Sequence, residues 1–332
     1  MLAYIARRIL VMIPTLFVIS VVSFVIIQLP PGDFLTTMVN EQTSRGEGAD
    51  MARVQYLRDL YGLDQPITEQ YFMWIGGVLQ GDFGYSFIYR LPVSEVIGDS
   101  VMLTIVVTLA TTLFIWAVAF PIGIYSATHQ YSWGDYGLTF LGFLGLATPN
   151  FLLALVLIYF ANVHFGLSIG GLMDDQFIGQ PMSLDKALSI LEHLWIPVIV
   201  IGTSGTAAMI RRLRANLLDE LQKQYYVTAI AKGLSRRRAL IKYPLRASLN
   251  PFIADIGSLL PELLSGATIV AVVLSLPTTG PILVEALGAQ DMYLAGSFVL
   301  LLAVMTVIGV LVSDLLLAVL DPRIRLGGRA TR

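Results

Sequence analysis

Cysteine is absent from the 332 residues, which excludes disulfides, thiolate metal sites and a cysteine nucleophile and leaves the redox compartment unread. Histidine is almost absent. His129, His164 and His193 are the only three, and none stands near another, so Glu192-His193 is an isolated pair and a zinc protease's His-Glu-x-x-His is missing. Scattered in this way, the histidines read as surface or interface residues rather than ligands. No Gly-Lys-Ser or Gly-Lys-Thr occurs, so the chain lacks the loop whose backbone amides and lysine cradle ATP phosphates. Gly-x-Ser-x-Gly is missing too, as is any acid pair with a defensible active-site geometry. No internal repeat supports a solenoid. Charge is also scarce: Asp, Glu, Lys and Arg make up 13% of the chain, against roughly a quarter in a soluble domain.

What fills the space is apolar, 56% of residues. A helix rising 1.5 Å per residue needs about 20 apolar residues to cross a ~30 Å hydrocarbon layer. Runs of that kind are Ile9 to Leu29, Val101 to Ala127, Leu138 to Phe160, Leu194 to Ile210, Phe252 to Leu276 and Met292 to Leu320. Six spans are expected, the fourth short and the last long enough to tilt. Arg7 and Arg8 precede the first run as in a secretory signal. Its 21 residues, however, exceed the roughly 7 to 15 of a signal's apolar region, and it ends in Leu29-Pro30-Pro31-Gly32-Asp33 without a small-residue cleavage site. It reads as a retained span.

The net charge of −2 says little, whereas its distribution orients the chain. Of 21 Lys and Arg, ten lie between Arg211 and Arg246, with only Asp219 and Glu220 against them. Arg7 and Arg8 flank the first span, and Arg323, Arg325, Arg329 and Arg332 follow the last. Residues 30–100 carry four Arg and ten acids. With six spans, both termini and the 211–246 loop share one side, and the Lys/Arg excess makes that side cytoplasmic.

Three divisions follow: residues 1–29, the N-terminus and first span; 30–100, an external helical cap; and 101–332, a five-helix core with a cytoplasmic loop at 211–251. In the cap, Met51, Val54, Leu57 and Tyr61 recur at helical spacing with Gly62 as a stop. Pro66 can open a second helix, carrying Tyr71, Phe72, Trp74, Ile75, Val78 and Leu79, and Pro92 the one that runs into the second span. The cap fits either packing at the membrane interface or a partner. Residues 128–137 form a short connection whose aromatics suit an interfacial belt. The stretches at about 163–193 and from Pro277 to Asp291 do not resemble folded domains.

Ionisable residues inside a span are functional suspects, because a charge at the bilayer centre costs roughly 2.5 to 3.5 kcal/mol. Asp255, Glu262 and Asp314 qualify, Asp314 lying nearer water at the inner end. Asp255 and Glu262 are seven apart, on one helix face. They either line a translocation path or anchor helix packing.

The basic loop is the most informative stretch. Leu217 to Lys232 reads as one helix, Gly233 can take the left-handed conformation that ends it, and Ser235 can cap the next helix ahead of Arg236-Arg237-Arg238. Small residues at Ala229, Ala231 and Gly233 make a turn thin enough to enter a groove on another protein.

Thr228-Ala229-Ile230-Ala231-Lys232-Gly233-Leu234-Ser235 resembles the cytoplasmic coupling motif of bacterial ABC importer permeases, most closely the dipeptide/oligopeptide (peptide/nickel/opine) subfamily. Tyr61-Gly62-Leu63-Asp64-Gln65-Pro66 and Gly81-Asp82-Phe83-Gly84-Tyr85-Ser86 are similar to that subfamily's external segment. Ala147-Thr148-Pro149-Asn150-Phe151 resembles its third span, and Leu283-Val284-Glu285-Ala286 and Leu320-Asp321-Pro322-Arg323-Ile324-Arg325 its C-terminal third. The matches run in order along nearly the whole chain.

The resemblance implies an all-α membrane protein of about six transmembrane helices, a MetI-like ABC importer permease bundle with an external helical segment. It implies a bacterial inner-membrane subunit that is not itself an enzyme. Its partners would be a second homologous permease, two cytoplasmic ATPases, a periplasmic or extracytoplasmic binding protein and the lipid bilayer, with no nucleic acid. ATP and magnesium would sit on the ATPases, and no cofactor on this chain. Thr228, Ala229, Ala231, Lys232, Gly233, Leu234 and Ser235 would couple to an ATPase. Ala229 and Gly233 take the second alanine and the glycine of the motif, Thr228 its first alanine, and Val227 the place of its glutamate, so no carboxylate contact is available there. The cargo the resemblance implies is a short peptide delivered by the binding protein, or a related solute such as a nickel chelate, opine or oligosaccharide, the choice being loosened by Ala271, which stands where a glutamate often precedes Ser-x-Pro, here Ser275-Leu276-Pro277. The alternative of another class is an ion-coupled secondary transporter or channel using Asp255 and Glu262.

Overall fold

The computed structural model describes residues 2–29, 34–44, 51–165, 170–255 and 268–320. Among these, the only strands form a two-residue hairpin, β1 (Tyr85–Ser86) antiparallel to β2 (Leu91–Pro92), with Tyr85 opposite Pro92. The all-α expectation holds.

Among the described residues, α1 (Leu2–Gln28), α5 (Val93–Thr128), α8 (Leu184–Leu221) and α15 (Met292–Leu320) are the four helices long and apolar enough to cross a membrane. A bent pair, α6 (Trp133–Ala147) and α7 (Asn150–Phe165), whose axes meet at 96°, is apolar enough to make a fifth crossing if the two count as one span. The middle of the sixth expected span, Phe252 to Leu276, lies outside the described residues at 256–267, and its ends are α12 (Asn250–Ala254) and α13 (Thr268–Val273). Glu262 and the arginines after the last span also lie outside them.

Three expectations need correction. The run from Leu138 to Phe160 is not one helix. Pro149 has no N–H to continue the ladder and crowds the residue before it, so Thr148 is extended at φ −81°, ψ 121° and the chain turns. The fourth span is not short: α8 has 38 residues, about 57 Å at 1.5 Å each. Polar residues at both ends of its apolar centre hid its length, and Ser183 caps its start by accepting the Lys186 N–H at 3.1 Å. Finally, Leu217 to Lys232 is broken, because α8 stops at Leu221 and α9 (Gln224–Ala231) begins after an extended Lys223.

Two compact units divide the chain, Met1–Thr104 with Thr278–Ile308, and Ile105–Pro277 with Gly309–Arg332. In the first, the external segment folds as α2 (Phe34–Ser44), α3 (Met51–Tyr61) and α4 (Ile67–Leu79). Gly62 has φ 61° just past α3, and Pro66 stands immediately before α4, in the roles expected of them. Tyr71 and Trp74 turn inward onto Phe24 of α1, with ring centroids 5.4 and 5.7 Å away, and Ser20 and the Tyr71 hydroxyl bond at 2.8 Å. A second cluster joins Val93 and Val96 of α5 to Ala286 of α14 (Thr279–Gly288) and to Leu294, Ala295 and Phe298 of α15.

The fully buried Asp291 locks the β1–β2 turn. One carboxylate oxygen accepts the Ser86 hydroxyl and the Phe87 N–H, both at 2.8 Å, and the Ile88 N–H at 3.3 Å, while the other accepts the Leu294 N–H at 3.3 Å. Burial raises the Asp291 carboxyl above the ordinary carboxylate range, and those donors oppose the shift without cancelling it.

In the second unit α8 is the axis, and α6, α7, α13 and α11 (Pro244–Ser248) pack on it. Ile196, Val200, Leu213 and Leu217 form its buried stripe.

Candidate functional site

The basic loop folds as a chain of short helices hung from the end of α8: α9, then α10 (Arg236–Lys242), α11 and α12. Glu220 holds the first corner, pairing with Lys223 at 2.6 Å and accepting from the Tyr225 hydroxyl. Burial and the Glu220 carboxylate push the Tyr225 phenol up to about 12, so it stays a donor throughout the physiological range.

The second corner is a Schellman turn. The Leu234 N–H bonds the Ala229 carbonyl at 3.2 Å and the Gly233 N–H that of Ile230 at 2.9 Å, satisfying carbonyls that α9 would otherwise leave open. The pattern needs a left-handed residue between them, and Gly233 supplies it at φ 90°. A Cβ on Gly233 would meet nothing within 4 Å. The demand for glycine is therefore conformational rather than steric.

The coupling residues divide by direction. Thr228, Ala231, Lys232, Gly233 and Ser235 face outward, Leu234 is half-buried, and Ala229 is turned in. Ala229 and Ala239 are both buried on α9 and α10, which pack on each other. The small side chain of Ala229 lets the two helices lie close, consistent with a thin turn. Ser235 occupies the N-cap position of α10, but its side chain bonds no helix N–H, so the cap is positional only. Arg236, Arg237 and Arg238 are exposed in the first turn of α10, which has no acidic residue. That end of a helix carries partial positive charge and disfavours cations, which makes the triplet poor for the helix itself and apt for an anionic or carbonyl-lined partner surface.

Two arginines anchor this assembly. Arg212 pairs with Asp255, donates to the Pro251 carbonyl at 3.4 Å and lies 4.9 Å over the Phe252 ring. The pair ties Asp255 to α8, a contact compatible with either of its two readings. Arg214 grips Asp135 at the start of α6 with Nε to Oδ1 at 3.1 Å and Nη2 to Oδ2 at 2.8 Å. Asp135, 2% exposed, also accepts the Tyr131 N–H at 3.0 Å, and its own N–H donates to Ser132 at 3.1 Å.

Sequence reasoning passed over Asp135 and Arg214. The signal was available, since Ser132-x-x-Asp135 ahead of an apolar run is a capping box. No group of three or more His, Asp or Glu among the described residues is placed to hold a metal. His193 bonds the Ser189 carbonyl at 2.8 Å and His129 stacks on Tyr125.

A multi-pass helical membrane protein with a structured basic loop is the class that fold and site define. Residues 119–326 match the family of binding-protein-dependent transport system inner membrane components, and residues 1–110 match that family's N-terminal region. The chain belongs to this family and is a permease of the inner membrane. It is 36% identical over 328 residues to the oligopeptide transport system permease protein AppB of Bacillus subtilis, covering 98% of this chain and 99% of that one. The dipeptide transport system permease protein DppB of Escherichia coli K12 is 32% identical over 341 residues, covering 98% of this chain and 99% of that one. The glutathione transport system permease protein GsiC of the same strain is 31% identical over 329 residues, with the same coverage.

Proposed function

We propose that this chain is the membrane subunit of an ATP-driven importer of short peptides. It works beside a second, homologous permease, two cytoplasmic ATPases that carry ATP and magnesium, and an extracytoplasmic binding protein that delivers the cargo. Full-length similarity to permeases named for oligopeptide, dipeptide and glutathione transport supports the cargo class, all three being chains of amide-linked amino acids. The Lys/Arg distribution supports an orientation with both termini and the 211–251 loop in the cytoplasm.

The observation that carries the reading is the Schellman turn at Gly233. It makes α9 and α10 a rigid, outward-facing wedge on a chain without a phosphate-cradling loop. The face made by Thr228, Ala231, Lys232, Gly233 and Ser235 seats in an ATPase groove, with Ala229 and Leu234 holding the turn's shape from within. Nucleotide-driven closure of the ATPases then displaces the wedge and tips the bundle between inward-open and outward-open forms.

Co-purification tests it. Mild detergent extraction should bring down a chain carrying Gly-Lys-Ser or Gly-Lys-Thr, and Gly233→Val should release it. A chain that purifies alone and moves substrate on a proton gradient without ATP would favour the ion-coupled alternative.

A further inference from the structure

Arg212 and Arg214 stand two positions apart on α8, which turns them about 200° from each other around the helix axis. They therefore grip opposite neighbours, Arg212 the α12 segment at Pro251, Phe252 and Asp255, and Arg214 the start of α6 at Asp135. The second grip is the stiffer. A guanidinium meeting both carboxylate oxygens through Nε and Nη2 fixes orientation as well as distance, which an ammonium cannot do. The burial of Asp135 removes it from water that would loosen the pair.

Along the same two helices the backbones run close together. A Cβ on Gly145 would lie 2.6 Å from Thr203 Cγ2, and one on Gly142 would lie 3.8 Å from Ala207 Cβ. Asn150, first residue of α7, donates to the Ser204 hydroxyl at 3.3 Å. At its far end α8 passes through the Glu220 corner into α9.

We propose that Asp135 and Arg214 are positioning residues of the transport cycle. Their fork, with the close seam of Gly142 and Gly145 on Ala207 and Thr203, makes α6 and α8 one rigid arm. Displacement of α9 by an ATPase then turns the bent α6–α7 crossing together with α8, instead of being lost as slip between the two helices. This rests on the importer reading.

The chain's lack of cysteine makes a direct test clean. The 3.8 Å separation at Gly142 and Ala207 matches the Cβ–Cβ distance of a disulfide. In the reconstituted transporter, with its ATPases and binding protein, the double variant Gly142→Cys, Ala207→Cys is assayed reduced and oxidised. A rigid arm predicts efficient cross-linking and uptake that changes less than about twofold on oxidation. Uptake lost on oxidation and restored by dithiothreitol would overturn the proposal, as would failure of the pair to cross-link. Arg214→Lys, which keeps the charge but not the fork, is expected to leave ATP hydrolysis within about twofold of wild type while cutting uptake about tenfold. Equal losses of both, or no loss of either, would contradict a positioning role. Wild-type protein showing no ATP-dependent uptake in the same vesicles would instead overturn the importer reading itself.

Discussion

At Gly233 the backbone sits at φ 90° with open space where a side chain would go, so substitutions there sort by conformational preference alone. A β-branched residue is the worst tenant of that region, and asparagine is one of the better ones. Left-handed backbone costs an ordinary residue about 1 to 2 kcal/mol. Gly233→Val is therefore expected to cut transport-coupled ATP hydrolysis about tenfold and Gly233→Asn much less, measured on the assembled transporter. Equal activity in both variants would show that the turn's geometry is not what the partner reads. Asp291 tests a different constraint. Its folded carboxyl binds a proton more tightly than the unfolded one does, because burial raises it. Its contribution is thus full below the ordinary carboxylate range and lost as pH rises through the raised value. Melting temperature in detergent between about pH 4 and pH 8 should fall more steeply for wild type than for Asp291→Asn. Parallel curves would place the pH dependence elsewhere.

Among elements, the bent α6–α7 pair and the long α8 show where the sequence was legible and where it was not. Apolar run length locates helices well but sees neither end of α8, whose first and last turns are polar yet helical. Pro149 stood in plain view inside an apolar run. Proline in a helix gives anything from a slight kink to a full break, and Thr148 and the neighbouring packing decide which. The wedge was read in outline, including Gly233 and two short helices, but the inward turn of Ala229 and the idle side chain of Ser235 depend on packing between α9 and α10 that no local pattern reports. Within the helices, glycines differ in what they permit. A Cβ on Gly202 would lie 2.6 Å from the Phe114 ring, whereas one on Gly98 would meet nothing within 4 Å. Gly202→Ala should destabilise by about 1 to 3 kcal/mol through overpacking. Gly98→Ala, exposed in α5, should be neutral or stabilising by up to about 1 kcal/mol. Detergent melts of the two variants decide it, and the reverse order would contradict the packing of α8.

For the whole molecule, the membrane class and the family were legible because they depend on composition and on motifs kept in order over nearly the full length, and the matches at 119–326 and 1–110 bear this out. The Asp135–Arg214 fork was not, because residues 79 apart in sequence meet only through the packing of α6 on α8. The central claim is that an ATPase this chain does not contain drives it through the wedge at Gly233. Uptake of a labelled dipeptide into vesicles holding this chain, its partner permease and its ATPases, with binding protein outside and ATP inside, tests that directly. The account predicts uptake that requires ATP and hydrolysis that rises when loaded binding protein is added, both cut about tenfold in Gly233→Val. Uptake that proceeds without ATP on an ion gradient alone, and is indifferent to Gly233→Val, would contradict it.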